Sequence, residues 1–200
     1  MLIFYLHRNT ETKIICLIGG PGAGKQTLGK RLAGKYGLSA VMLSDLVRSE
    51  VNAGTERGEI IKKIMNEGRN LPADVIVQKV EEKMARAPAA SGYLLVGFPR
   101  DKQQASLFDK DVRPPDLCIY LWARRLVLEE RMRSRALANE RFDDAEFTIA
   151  ERMKTFFKTV GGAVGHYKNI TSTVDGERGE EEVLALACAA IDAMLARSEN

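Results

Sequence analysis

The stretch Ile18-Gly19-Gly20-Pro21-Gly22-Ala23-Gly24-Lys25-Gln26-Thr27 decides how this chain is read. An apolar run, Ile14–Ile18, leads into it, and a helix is expected to open directly after it. Glycines at this density let successive backbone N–H groups turn inward around an anion without side-chain clash. A helix starting there aims its unpaired N-terminal amides at the same anion. Lys25 adds a mobile positive charge for the outer phosphates, and Thr27 can place a hydroxyl on Mg²⁺. The general phosphate-loop pattern carries Ser or Thr directly after the lysine. Here Gln26 intervenes and Thr27 comes second. Strand, glycine-rich turn and helix in that order predict a phosphate site rather than an unliganded turn.

Outward from this loop, four more short apolar runs are expected to be strands: Ala40–Leu43, Tyr93–Phe98, Leu117–Trp122 and Ile170–Val174. Most lack strict alternation, as strands covered on both faces do. Helix-like stretches separate them. Ile76, Val80 and Met84 recur every four residues, and Leu184, Ala187, Cys188, Ile191 and Leu195 form a stripe near the C-terminus. Alternating strands and helices predict an α/β domain on a central parallel sheet of about five strands. Two segments hold no strand. Residues 44–72 are helical and carry Gly54, Gly58 and Gly68, and residues 134–146 are polar and charged. Each is either a small flap over a site or a plain surface excursion.

Composition bounds the function. Two hundred residues with 45% hydrophobic and 28% charged side chains fit one globular domain and exclude wholesale disorder, collagen and a membrane protein. Thirty Lys and Arg against 27 Asp and Glu leave a net charge of +3, too little for a nucleic-acid binder but compatible with anionic metabolites. Cys16, Cys118 and Cys188 are odd in number and form no CxxC pair, which points to a reducing, cytoplasmic setting. His7 and His166 are too few for a histidine-based metal site. The opening Met1–Leu6 is apolar without a basic leader. It is too short for a signal or a span and reads as an extension or a short extra strand.

The loop, with Gly-Gly-Pro-Gly ahead of Lys-Gln-Thr, resembles that of the adenylate kinase and UMP/CMP kinase family. The resemblance continues in order through Leu46–Val51, Asn66–Pro72 and the tetrapeptide Gly97-Phe98-Pro99-Arg100. It then takes in Arg131, Arg135, Arg141 with Asp143-Asp144, and Arg152. It covers roughly residues 13–195 and is similar to the short-lid members, closest to adenylate kinase. It implies a P-loop NTPase fold with a core of about 13–43, 73–133 and 147–198. A flap for the nucleoside monophosphate would span about 44–72, and a short lid about 134–146.

The resemblance also implies roles. Gly20, Pro21, Gly22, Ala23, Gly24, Lys25, Gln26 and Thr27 would hold ATP, with Mg²⁺ at Thr27. Arg131 would lie near the donor adenine. Arg48 and Arg100 would hold the acceptor α-phosphate, with Gly97 and Phe98 beside it. Arg135, Arg141 and Arg152 would surround the transferring group, the first two arriving as the lid closes. Gln104 would bond the acceptor base and tilts it toward AMP. Leu43 would stand near that base. The implied reaction is ATP + AMP ⇌ 2 ADP in a monomer without nucleic-acid or membrane partners. A UMP/CMP-preferring kinase and a catalytically weak adenylate-sensing protein are the alternatives. Guanidinium forks suit such chemistry because they bind phosphate bidentately and stay charged. The chain departs from the family pattern at Val96 and Trp122, where acids are usual, at Leu43 and Ser44, and at Gln26, where glycine is usual.

Overall fold

The computed structural model describes residues 12–87, 91–138 and 146–198. The apolar run before the glycine-rich loop forms β1 (Lys13–Gly19), and the loop ends where α1 (Lys25–Tyr36) begins. There follow β2 (Ser39–Met42), α2 (Leu43–Asn52), α3 (Glu56–Asn66), α4 (Ala73–Arg86) and β3 (Gly92–Val96). The second half runs through α5 (Lys102–Asp111), β4 (Leu117–Trp122), α6 (Arg125–Ala138), α7 (Glu146–His166), β5 (Thr171–Asp175) and α8 (Glu180–Ser198). The expected extension at Met1–Leu6 lies outside the described residues. So does residues 139–145 of the expected lid, while 134–138 continue α6 and Glu146 opens α7.

The five strands form one parallel sheet in the order β2-β3-β1-β4-β5. Strand side chains alternate between faces, so the unbroken apolar run of β1 supplies two cores at once. Ile14, Cys16 and Ile18 pack with Val47 and Val51 of α2, Ile76 and Val80 of α4 and Phe108 of α5. Ile15 and Leu17 pack on the other face with Leu32 of α1, Met132 of α6 and Ile191 of α8. All three cysteines are buried and free. Segment 44–72 holds no strand, as expected, and its helices α2 and α3 are joined by a turn in which Thr55 caps α3 by accepting from Gly58 N (3.0 Å).

Two chain reversals place the loops of the cleft. Gly24 has φ 89° and ends the glycine loop as the N-cap of α1, with no side-chain cap. Gly68 has φ 67°, and a Cβ there would stand 2.6 Å from Glu151 Cβ and 2.7 Å from Arg152 N. The loop after α3 therefore touches the backbone of α7 beside Arg152, at a conformation and a distance that only glycine meets. Gly68→Ala is expected to destabilise the fold by about 1–3 kcal/mol through overpacking and the positive φ. A urea-unfolding midpoint equal to that of the wild type would contradict this packing.

Candidate active site

The C-terminal ends of β1 and β3 and the helices that follow them enclose a cleft of about 290 Å³. One wall is the glycine loop. Ala23 N bonds Gly20 O (3.1 Å) to close its turn, and Gly22 adopts φ 79°. Because Gly24 offers no side-chain cap, the first amides of α1 remain available to an anion. Lys25 folds back over the loop and donates to Gly20 O (2.7 Å). Gly97, at φ 79°, bonds Leu17 O through its N–H (2.8 Å) and joins the end of β3 to that of β1.

The lining is cationic. Lys25, Arg48, Arg69, Arg100, Arg131, Arg135 and Arg152 all face the cleft, and among the described residues that line it there is no carboxylate. Burial of the Lys25 ammonium, reinforced by repulsion from Arg100, Arg152 and Arg135, pulls its pKa down to about 7. Neutral groups hold several of these side chains or their backbones. Arg131 donates to Gly176 O (2.8 Å), and the Arg100 backbone N–H donates to Gln104 Oε1 (2.9 Å). Arg100 O accepts from the Thr159 hydroxyl (3.0 Å). The Phe98–Pro99 peptide before Arg100 is cis.

Of the residues singled out in the sequence, Pro21, Gly22, Ala23, Gly24, Lys25, Gln26, Thr27, Arg48, Gly97, Arg100, Arg131, Arg135 and Arg152 come together around this cleft. Gly20 contributes its carbonyl to Lys25. Three others lie behind the wall. Leu43 is fully buried, because α2 starts directly after β2 and its first residue turns into the core. Phe98 is also buried, edge-on to Phe108 with ring centroids 5.1 Å apart. Gln104 is buried on α5, and its Nε2 has no hydrogen-bond partner among the described residues. Arg141 lies outside the described residues. Val96 sits at the cleft edge with its Cγ2 2.8 Å from where a Cβ on Gly29 would stand, so it packs β3 against α1. Trp122 is 40% exposed and does not line the cleft.

Sequences of known proteins match most of this chain. A sequence model described as adenylate kinase matches residues 17–172. The chain is 34% identical over 183 residues to adenylate kinase isoenzyme 1 of Gallus gallus, covering 90% of this chain and 94% of that protein. It is 32% identical over 187 residues to the same isoenzyme of Homo sapiens, covering 92% and 96%. Adenylate kinase 1 of Drosophila melanogaster is 31% identical over 193 residues, covering 95% and 84%. The chain belongs to the adenylate kinase family. Among the described residues no helix is long and apolar enough to cross a membrane.

In this family member the cleft also takes in residues that reading for chemistry passed over. Arg69 and Asn70 line it, with Phe156 and Thr159 of α7. Asn70 donates to Asp101 Oδ2 (3.1 Å), and Asp101 caps α5 by accepting from Gln104 N (2.9 Å). The only signal for the first pair was the family-like segment 66–72. Phe156 and Thr159 belong to a helix whose pattern reads as core packing.

The donor set bears on Mg²⁺. The metal prefers hard oxygens and retains several waters. The Thr27 hydroxyl lines the cleft as one such oxygen. Asp45 and Asp101 are engaged by Gln26 and by Asn70 and Gln104. Among the described residues no group of three or more His, Cys, Asp or Glu could hold a metal. These residues fit an ion carried in by the phosphates of a ligand rather than one caged by the protein.

Lys25 gives the site a measurable proton linkage. Above pH of about 7 the free protein carries it mostly neutral. A bound divalent anion favours the ammonium and raises its pKa, so the complex holds more protons than the free protein. Sulfate does not itself titrate in this range. Its binding at about pH 8 is expected to take up about one proton, read by calorimetry in buffers of different ionisation enthalpy. The same measurement on Lys25→Met should show no uptake, and anion affinity in the wild type should fall as pH rises past 7. Equal uptake in both proteins would place the titration elsewhere.

Proposed function

We propose that this protein is a nucleoside monophosphate kinase that transfers the γ-phosphoryl group of ATP to AMP. The observation that carries the reading is the joining, in one cleft, of a phosphate loop, Lys25 and six arginines, with no carboxylate among the described residues of the lining. Transfer between two nucleotides brings several negative charges into contact, and catalysis is mostly positioning and charge neutralisation. An acceptor phosphate oxygen of AMP attacks the γ-phosphorus, the bond to the β,γ-bridging oxygen breaks, and ADP leaves from each side.

Lys25 and the loop amides hold the donor β- and γ-phosphates. Arg131, tethered to Gly176 O, borders the donor nucleoside. Arg48 and Arg100 take the acceptor α-phosphate from the opposite side. Arg135 and Arg152, joined by Arg141, surround the transferring group. Mg²⁺, held by the nucleotide phosphates and the Thr27 hydroxyl, would spread the charge of the phosphates. Segments 44–72 and 134–146 would act as flaps whose closure excludes water, the competing acceptor. The reading includes a monomer and a cytoplasmic setting, which would keep three free cysteines reduced.

The choice of base rests on Gln104. Its Oε1 is taken by the Arg100 amide, so Nε2 is left as a donor. Adenine presents a ring-nitrogen acceptor to such a group, whereas uracil presents a ring N–H donor at the centre of its pairing edge. Cytosine also presents a ring-nitrogen acceptor, so this bond disfavours UMP and the size of the purine has to separate AMP from CMP. Steady-state kinetics across AMP, UMP and CMP should give the highest kcat/KM with AMP, and Gln104→Ala should raise the KM for AMP. A higher kcat/KM with UMP or CMP would overturn the assignment.

The cationic groups are tested by their kinetic signatures. Lys25→Ala should lower kcat by about a hundredfold or more with the fold intact. Arg135→Ala should lower kcat more than it raises KM if it acts on the transition state. Near-normal turnover in Lys25→Ala would sink the phosphoryl-transfer reading.

A further inference from the structure

Gln26 stands in the first turn of α1, next to the lysine of the phosphate loop, yet its side chain reaches away from the loop. Its Nε2 donates to Asp45 Oδ1 (2.8 Å) and to Ser44 Oγ (3.1 Å), both in the first turn of α2. The Ser44 hydroxyl in turn donates to Asp45 Oδ1 (3.3 Å), closing a triangle of polar contacts. Asp45 Oδ1 also lies 3.8 Å from Arg48 Nη1, one turn further along α2. Gln26, Ser44 and Arg48 all line the cleft.

The start of α2 has little else of this kind to fix it. Its N-cap residue is Met42, which offers no side-chain cap, and no loop separates it from β2. The apolar contacts of Leu43, Val47 and Val51 hold its inner face. On the cleft side, the described contact between the two first turns is the Gln26 amide. Its two N–H donors match two acceptors, and a neutral amide leaves the charge of Asp45 intact beside Arg48.

We infer that Gln26 is a positioning residue for the acceptor: through Asp45 and Ser44 it latches α2 to the phosphate-loop helix and fixes Arg48 relative to Lys25. Its backbone serves the donor end of the cleft and its side chain the acceptor end. The two phosphates that must meet in line are thereby referenced to one residue. The inference rests on the acceptor reading given above for Arg48. It predicts an asymmetry that a general loss of structure does not produce, because α2 carries an acceptor group while the loop amides stay where they are.

The test is a set of variants with the KM for each nucleotide measured separately. Gln26→Ala should raise the KM for AMP by about three- to tenfold, the range set by one to two net hydrogen bonds, and leave the KM for ATP within about twofold. Asp45→Ala should shift the AMP KM in the same direction, and the double variant should fall short of the sum of the two, since they share the Gln26–Asp45 contact while each also removes a contact of its own. Asp45→Asn keeps the accepting oxygen and gives up only a half-exposed charge at 3.8 Å, so it should stay near wild type. Hydrogen exchange reads the latch without turnover: the amides of α2 should exchange faster in Gln26→Ala and not in Asp45→Asn.

An unchanged AMP KM in Gln26→Ala, equal rises for AMP and ATP, additive effects in the double variant, or unchanged exchange in α2 would each overturn the inference. A wild-type protein that does not phosphorylate AMP would instead overturn the proposed function, and the exchange measurement would then decide the latch alone.

Discussion

Lys25 and the arginines around it repel one another, and the fold has to hold them together before any ligand arrives. The depressed pKa of Lys25 is the measure of that repulsion added to burial. Elsewhere on the molecule arginines are matched with carboxylates: Arg31 with Glu181, Arg124 with Glu177, Arg125 with Glu129 and Arg133 with Glu146, all at 2.7–2.8 Å. In the cleft Arg69 is matched in the same way, with Glu67 at 2.7 Å, but Lys25, Arg131 and the backbone of Arg100 have tethers of another kind. Carbonyls of Gly20 and Gly176 hold Lys25 and Arg131, and the side chains of Gln104 and Thr159 hold the backbone of Arg100. Neutral partners fix position without cancelling charge. A net charge of only +3 is therefore compatible with a strongly anion-attracting cleft, because the distribution of the charges and not their sum sets the local field.

The parallel sheet is what brings these groups to one place. In an open α/β sheet the strands end on the same side, and ligands settle where neighbouring connections leave in opposite directions. Here β1 lies between β3 and β4. The loop after β1 supplies the amides and Lys25, while the turn after β3 supplies Gly97 and Arg100. The bond from Gly97 N to Leu17 O ties the two together at their base. Helix α7 then crosses to contribute Arg152 and Thr159. It belongs to both cores, with Ile149 and Met153 on one face of the sheet and Val160 on the other. A displacement of this helix would be felt by both apolar layers, which is a strong reason for its arginine to stay in register with the loop.

Much of this was legible in the sequence. The five apolar runs correspond to the five strands because parallel strands buried on both faces cannot hide their composition. Leu117–Trp122 agrees at both ends, whereas Ile170 falls in a short 3-10 turn ahead of β5 and Leu43 opens a helix. Those edges are set by backbone hydrogen bonding, which an apolar side chain does not announce. In the site, Lys25 and Thr27 could be found from the loop itself, and the arginines from their order in the family resemblance. Leu43 is placed near the base only by the resemblance, and a position in a sequence says nothing of which way a side chain points. Asn70 and Thr159 escaped notice for a related reason: their contribution is to bond Asp101 and the Arg100 carbonyl, and polar residues of that kind are common on any surface.

Two local costs lie at the cleft and behind it. At the loop, Lys25 is held among like charges. Behind the Gly97–Arg100 turn, Gln104 keeps a buried amide group without a partner, a state that costs about 1–3 kcal/mol for an unmet donor. On the reading proposed above, a phosphate would relieve the first and an acceptor on a base the second, once ligand binding gives access to Gln104 behind the cleft wall. Neither relief is available to water at full strength, since both groups are largely withdrawn from it. The two reliefs would add, so a pair of ligands reaching both groups would gain both. On that reading the cleft would select by what it lacks as much as by what it contains.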